Sequence, residues 1–240
     1  MMSKETISKE LVILAMTKMA NGICTAGIES NTGKWIRPVR LDISDPMEHC
    51  VQLTDFIIQG EPRIKLLAVS EVFLKEPNPS PPHIEDWIID RRFKPRLVRQ
   101  LNDKEKIDFL NTHSHQEDLN RLQAKECSLG LIKPDDFLIH FKPNKKGDDI
   151  AVRINFTLGK ERWKEKPCPD IKLRAFGRYV LQYLKKSSHS LSLEDFLKKG
   201  YANIFFSLGL TRLYQGENWL MIIGVHTIPE YKAEIDFSQL

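Results

Sequence analysis

The stretch NGICTAGIESNTGKWIRPVRL, from Asn21 to Leu41, decides the fold that we expect for this chain. Within it, two runs of alternating apolar residues flank Asn31-Thr32-Gly33, a sequence typical of a tight turn between antiparallel strands. A third apolar run, Leu11 to Met19 (LVILAMTKM), precedes Asn21-Gly22 and has the short, branched character of a strand buried on both faces. Together the three runs predict a β-meander.

The composition is that of an ordinary globular protein. Of the 240 residues, 41% are hydrophobic and 28% are charged, so the chain is able to bury a sizeable core and disorder is not indicated. The N-terminal sequence MMSKETISKE lacks the apolar segment of a signal peptide, and no run approaches the ~20 apolar residues of a membrane span. We therefore expect a cytoplasmic protein that does not contact a membrane.

The positive charge is concentrated in one region. The net charge is only +4, which by itself does not imply a nucleic-acid partner. Between Lys142 and Arg178, however, eleven Lys or Arg residues stand against five Asp or Glu residues, a local surplus of six. The rest of the chain is therefore close to neutral, with a net charge of −2.

Outside the meander, the pattern alternates between extended and broken segments. Val51 to Ile58 and Arg63 to Lys75 read as strands, after a polar, turn-rich segment from Asp42 to Cys50. Four prolines between positions 77 and 82 then end regular pairing, because each proline removes a backbone donor.

Helical spacing appears in two places. Leucines and isoleucines predict a helical insertion from about Leu97 to Glu126, and a loop from Ser128 leads to a strand that ends at Phe141. Helices are also predicted at about 172–199, where Ser192 is a candidate cap of the second one.

The fold class predicted from these patterns is mainly β with helical insertions, a β-rich α+β protein with two barrel-like halves. We place the first half at residues 1–127, with the insertion at about 97–126. The second half is placed at residues 128–240, with helices at about 172–199, so the division falls near Cys127 to Ile132.

Trp35 and Arg37 are the first candidate binding residues. They lie two residues apart on one strand and therefore share a face of the sheet. An aromatic ring beside a guanidinium is the pairing with which single-stranded nucleic-acid grooves hold a base and a phosphate. The alternative is a Trp that closes the end of a barrel, with an Arg that reaches solvent or pairs with a carboxylate.

The segment Arg91 to Arg99 (RRFKPRLVR) is the second candidate. It carries five cations and no acidic residue in nine positions, a density that would attract a phosphate backbone. A solvated surface without a ligand is the alternative. The predicted nucleic-acid or polyanion-binding residues are Trp35, Arg37, Arg91, Arg92, Lys94, Arg96 and Arg99.

A second basic tract, which also contains an aromatic residue, lies in the region of surplus charge. The same two alternatives apply to it, since a run of lysines is often only a solvated face. Its residues are Lys142, Lys145, Lys146, Lys160, Arg162, Trp163, Lys164 and Lys166.

The sequence contains no recognisable catalytic motif. The chain contains neither a phosphate-binding glycine loop nor a nucleophile elbow, and no third ligand stands at a fixed spacing from His113 and His115. We expect no catalytic residue, no metal and no cofactor. Reduced thiols are expected at the four scattered cysteines, which form no CxxC pair: Cys24, Cys50, Cys127 and Cys168.

Several short sequences resemble one known family. They are LVILAMTKM, NGICTAGIE, GKWIRPV, SLGLIKPDDF, IFFSLG and LMIIGV, and they are most specific from Gly22 to Pro38. The pattern resembles the dual-OB-containing domain of prokaryotic proteins, over almost the entire chain. Thr25 departs from the more usual apolar residue after Cys24, and Pro169-Asp170 stands where the family more usually has threonine and aspartate.

The resemblance implies two OB-like β-barrels in tandem but assigns no catalytic residue. OB-folds commonly bind oligonucleotides, so one hypothesis is a module that binds single-stranded nucleic acid or another polyanion. The alternative is a protein-interaction or small-ligand-binding module with no catalytic activity. An enzyme that the motifs do not reveal is the third and least favoured hypothesis.

Overall fold

The computed structural model describes residues 5–19, 22–40, 51, 53–58 and 61–235. The turn-rich segment predicted from Asp42 to Cys50 lies outside these residues, as does Asn21 of the first predicted turn.

Fifteen strands and five helices make up the described part of the chain. The strands of the first half are β1 Ile7–Met19, β2 Gly22–Glu29, β3 Trp35–Val39, β4 Ile57–Ile58, β5 Glu61–Pro62, β6 Ala68–Pro77, β7 Asp86–Ile89 and β8 Arg96–Gln100. Those of the second half are β9 Leu129–Ile132, β10 Asp136–Pro143, β11 Ile150–Leu158, β12 Glu161–Pro167, β13 His189–Ser192, β14 Phe205–Leu210 and β15 Leu220–His226. The helices are α1 Leu53–Phe56, α2 Asp103–His113, α3 Glu117–Gln123, α4 Ile171–Leu184 and α5 Leu193–Lys198.

The predicted β-meander is confirmed and forms most of a closed barrel. Strands β1, β2 and β3 pair in antiparallel order, and Gly33 takes a positive φ of 68° in the turn between β2 and β3. Strand β3 then pairs in parallel with β7, β7 pairs with β6, and β6 returns to β1. We call this five-stranded ring the first barrel; β8 extends it by pairing with the other side of β6.

Alternation along the meander separates the inside of the first barrel from its outside. Ile36 lies in the barrel core with Leu11, Ile13 and other aliphatic residues. Its neighbours Trp35 and Arg37 therefore lie on the outward face of β3, because adjacent side chains in a strand point to opposite faces.

The second half builds a second barrel from two sheets. One sheet has the order β12-β11-β10-β13 and the other the order β15-β14-β9, and β12 lies alongside β15. Residues of both sheets share one core with α4, in which Phe137 and Phe156 each contact Phe206. The two barrels have the architecture of tandem OB-like folds.

Two copies of Ser-Leu-Gly-Leu, at 128–131 and 207–210, meet in the second barrel. Strands β9 and β14 pair in antiparallel register, with Ser207 opposite Leu131 and Gly209 opposite Leu129. The two copies are therefore neighbours in one sheet.

The second barrel packs on the outward face of the first. Leu129 of β9 and Ile223 of β15 form one buried cluster with Ala15 and Ala26, and Trp35 packs against the same cluster. His226 lies 3.0 Å, through Nε2, from the backbone oxygen of Leu14 in β1. The outward side of β1 and β2 is thus an interface between barrels.

Side-chain caps set the ends of the helices. Asp170 accepts hydrogen bonds from the backbone of Lys172 and Leu173 at the start of α4 and from the backbone of Val225 in β15. Ser192 caps α5 with Asp195 as its reciprocal partner, so this predicted cap is confirmed.

Three segments differ from the sequence-based expectation. Residues 53–56 are helical where Val51 to Ile58 was expected to be extended throughout, and the strand expected from Arg63 begins only at Ala68. The expected insertion from Leu97 begins instead as strand β8, and its helices start at Asp103. The division of the chain near Cys127 to Ile132 stays a prediction.

Gly224 lies at a close approach of the two barrels, and we expect Gly224→Ala to lower the free energy of unfolding by about 1 to 3 kcal/mol. A Cβ at this position would lie 2.4 Å from the backbone oxygen of Leu14, which has no rotamer with which to move away. Urea denaturation followed by tryptophan fluorescence measures the change. Gly209→Ala is the matched control, because a Cβ there meets only the side chain of Ile223, at 3.0 Å. Equal losses from the two variants would contradict the prediction.

Candidate nucleic-acid interface

The structure places Trp35 and Arg37 between the two barrels. Trp35 is half-buried against the cluster that contains Leu129 and Ile223, and only 7% of Arg37 is exposed. The prediction that they share a face fits this placement, but the face is covered by the second barrel. Their predicted role in binding a polyanion stays a prediction.

Asp86 receives two guanidinium groups at this interface. Its Oδ1 accepts a hydrogen bond from Nε of Arg37 at 2.7 Å, and its Oδ2 accepts one from Nη2 of Arg212 at 2.5 Å. Asp86 is fully buried. Burial is the largest single influence and lowers the pKa of Arg37, but the charge and hydrogen bond of Asp86, together with the charges of Cys24 and Glu85, raise this pKa above its ordinary value. The ion pair links β3 and β7 of the first barrel to the loop after β14.

Glu85 forms a second link from the same segment. Its carboxylate accepts hydrogen bonds from the backbone of Ser128 at 2.8 Å and of Leu129 at 3.1 Å, and from the hydroxyl of Ser128 at 2.9 Å. Glu85 is therefore buried with its charge compensated by donors at the start of β9.

His83 lies beside these charges as a buried neutral ring. Burial, followed by the positive charges of Arg37 and Arg212, lowers its pKa to about 4, although Asp86 and the backbone of Thr211 act in the opposite direction. Only 3% of the residue is exposed.

The five cations between Arg91 and Arg99 lie on the surface of the first barrel, each beside a carboxylate. Arg92 bonds to Asp90 and Arg99 to Glu105. The other pairs are Arg91 with Asp55 at 3.3 Å, Lys94 with Asp55 at 4.0 Å, and Arg96 with Glu71. The sequence shows no acid within this run, but the fold brings four carboxylates to it. Phosphate binding by this run also stays a prediction.

The second basic tract is placed differently, on the second barrel. Lys160, Arg162 and Lys164 are exposed on β12 and the turn before it. Lys145 and Lys146 are exposed in the turn between β10 and β11. Throughout residues 5–19, 22–40, 51, 53–58 and 61–235, no carboxylate lies within ion-pair distance of these five cations. Their charge is consequently available to an external anion.

A row of hydrogen-bonded polar groups crosses the outward side of β13, β10, β11 and β12. Nδ1 of His140 lies 2.8 Å from the hydroxyl of Ser190, and Nε2 lies 3.2 Å from the amide nitrogen of Asn155. The side-chain oxygen of Asn155 accepts a hydrogen bond from the backbone of Glu165 at 2.7 Å. These bonds hold the polar side chains of β13, β10 and β11 in fixed positions on the side of the sheet that also carries Arg162 and Lys164.

A shallow hollow of about 330 Å³ lies on the same side of the sheet. Its lining consists of Asp136, Leu138, Asn155, Thr157, Arg162 and Lys164, with parts of Phe137, Phe156 and Trp163. The ring of Trp163 itself packs against the core of the second barrel, stacked on Phe156 with ring planes 9° apart, and Nζ of Lys166 lies 5.0 Å from its centroid. The hollow therefore combines two cations, one side-chain amide and one carboxylate.

His140 and Asn155 were missed from the sequence as candidate site residues. Each lies in a strand with an alternating pattern, which shows that the side chain points away from the core but not what it meets there. The strand β12 was also missed, because its charged residues read as a solvated tract.

Residues 9–225 match the family model described as the dual OB-containing domain. The chain belongs to this family. No curated protein matches the chain. The resemblance inferred from Gly22 to Pro38 is thus confirmed, and OB-fold domains commonly bind nucleic acids or other ligands.

Two further findings on this dual OB-containing domain concern metal ions and membranes. Among the residues that the structure describes, no group of three or more His, Cys, Asp or Glu side chains is arranged to hold a metal ion. The helices in that same part of the chain are all too short or too polar to cross a membrane.

We expect Asp86→Asn to lower the free energy of unfolding by about 3 to 5 kcal/mol, because it leaves Arg37 buried without an anionic partner. Equilibrium urea denaturation measures the loss. Arg212→Ala is the control and should cost less, since Arg37 keeps Asp86 and the side chain of Arg212 is 27% exposed. A loss below about 1 kcal/mol for Asp86→Asn would show that the pair does not hold the interface.

Acidification should weaken the fold through His83. Its pKa is about 4 in the folded chain and about 6.5 when unfolded, so the unfolded chain binds more protons between these values and stability falls as the pH falls from 6.5 to 4. The loss amounts to about 3 kcal/mol at most. Burial raises the pKa of Asp170 to about 6, which acts in the opposite direction over much of this range. The measurement is therefore the difference between wild type and His83→Gln across the pH series, and parallel curves would refute the assignment.

Proposed function

We propose that this dual OB-containing domain binds single-stranded nucleic acid on the outward side of β10, β11 and β12 in the second barrel. The observation that carries the proposal is that Arg162 and Lys164, exposed cations without a carboxylate partner among the described residues, line a hollow together with Asn155. Phosphates would lie against Lys160, Arg162 and Lys164, as they do in charged grooves of OB-folds.

The outward faces of the two barrels differ, and this difference favours the second barrel as the binding site. In an OB-fold the usual ligand face is formed by the second and third strands. On the first barrel, this face carries Trp35 and Arg37 and is covered by β9 and β15. On the second barrel, the meander β10-β11-β12 corresponds to β1-β2-β3, so the equivalent face is that of β11 and β12, whose outward residues are exposed or half-buried.

A single strand is favoured over a duplex by the shape of the surface. The hollow is small and shallow, and its polar groups belong to the sheet β13-β10-β11-β12 rather than to a helix of the kind that enters a groove. Unpaired bases are able to lie flat against such a surface while the backbone follows the cations.

The second candidate function is the protein-interaction or small-ligand-binding module. Two tyrosines on α4 favour it: Tyr179 and Tyr183 are 61% and 74% exposed, and their rings are stacked with centroids 6.1 Å apart. Exposed aromatic side chains are enriched at protein interfaces. Absorbance at 260 nm of the purified protein distinguishes the two candidates, because only the first predicts copurified nucleic acid.

The salt dependence of binding tests the proposal. Replacing Lys160, Arg162 and Lys164 by Ala should reduce the slope of log K against log salt by about 2, since each phosphate contact on a single strand contributes roughly 0.7. Fluorescence titration of a labelled oligonucleotide at several salt concentrations measures the slope.

The matched control replaces three cations of the other run, Arg92, Arg96 and Arg99, by Ala. Because these side chains are already bound to Asp90, Glu71 and Glu105, we expect the slope to stay close to that of wild type. If the slope flattens in this control and stays unchanged in the variant of Lys160, Arg162 and Lys164, the phosphates bind the Arg91 to Arg99 run instead. Absence of binding by wild type at low salt would refute both sites.

A further inference from the structure

Two arginines and two phenylalanines form a stack on the surface of the first barrel. The rings of Phe73, on β6, and Phe93, between β7 and β8, have centroids 5.3 Å apart. The guanidinium of Arg92 lies 5.8 Å from the centroid of Phe93, and that of Arg96 lies 5.6 Å from the centroid of Phe73. We call these four residues the Arg-Phe stack.

Carboxylates hold both guanidinium groups in place. Arg92 donates from Nε and Nη2 to both oxygens of the fully buried Asp90, and Nη2 also bonds to Thr6 at 3.0 Å. Hydrogen bonds from Arg92 are the first cause of the lowered pKa of Asp90. Arg96 donates from Nε to Glu71 at 2.6 Å. The planes of both guanidinium groups are thus oriented before any ligand arrives.

The stack remains open to solvent despite these bonds. Phe93 is 46% exposed, and the side chains of Arg92 and Arg96 are 53% and 69% exposed. The ring of Phe93 lies between Arg92 and Phe73, so the accessible π surface consists of its uncovered part and of the two exposed guanidinium planes, whereas the formal charges are already balanced by Asp90 and Glu71. The surface is therefore suited to a flat, neutral group rather than to a phosphate.

We propose that the Arg-Phe stack binds an unpaired nucleobase of the single-stranded ligand. Nucleobases stack on phenylalanine rings and on guanidinium planes, and every base has such a face. This inference rests on the proposed function and adds a second contact, outside the face formed by β2 and β3. It also gives the run Arg91 to Arg99 a role that does not depend on its charge.

The test compares two oligonucleotides of equal length, one with bases and one abasic throughout, so that their phosphates are the same. Wild type should bind the strand with bases more tightly. Phe93→Ala should weaken binding of that strand by roughly 5- to 150-fold, the range for loss of one stacked base, without changing its salt slope. Phe93→Tyr should bind as wild type does, because it keeps an aromatic ring.

Two controls separate stacking from other effects. Phe93→Leu keeps an apolar side chain without a ring and should bind as weakly as Phe93→Ala, while thermal unfolding confirms that each variant is folded. Tyr183→Ala removes a more exposed aromatic residue from α4 and should leave binding unchanged.

The possible failures are distinguishable. If wild type binds neither strand, the proposed function is wrong and this inference falls with it. If wild type binds both strands equally, or if Phe93→Ala keeps the preference for bases, only the stacking proposal is overturned. Loss of the salt slope in Phe93→Ala would also overturn it, since it would show that phosphate contacts had been removed.

Discussion

The carboxylate of Asp86 is the point on which the arrangement of the two barrels depends. It is fully buried and holds Arg37 from its own barrel and Arg212 from the other. Two cations and one anion are expensive to remove from water, so this site is stable only in the geometry that brings all three together. The neighbouring Glu85 fixes the start of β9 in the same way, through backbone donors rather than side chains. Adjacent residues of one segment thereby set both the position and the orientation of the second barrel.

The two barrels have the same general architecture but offer different surfaces. In the first, the outward side of the second and third strands is apolar at Ala26 and Trp35 and serves as an interface. In the second, the corresponding side is basic and polar, and nothing in the described chain covers Arg162 or Lys164. An interface requires apolar area and compensated charge, whereas binding of an anion requires charge that is left uncompensated. Neither surface combines both properties, so two barrels of the same general architecture differ in the chemistry of this face.

Local patterns made the β-meander and helix α4 predictable, because alternation and helical spacing are properties of consecutive residues. The cap at Ser192 was predictable for the same reason. The burial of Arg37 was not, since its partner Asp86 lies 49 positions away and only the fold brings them together. Strand β8 was missed because the arginines that pair with distant carboxylates read as a solvated run. Strand β9 was missed because its four buried residues are too few to show a period. The sequence therefore located the cations, but pairing between distant residues decides which of them remain available to a ligand.

The covered face of β2 and β3 has a consequence for synthesis of the chain. Residues of the first barrel leave the ribosome before β9 and well before β15, which supplies part of the cover. During that interval the apolar surface around Ala26 and Trp35 faces water, and Asp86 has yet to meet Arg212, which follows it by 126 positions. Exposed surfaces of this kind favour association between nascent chains. If translation stops between the two barrels, the released fragment exposes this apolar surface and is prone to aggregate. Chaperones or proteases would then have to bind or degrade it.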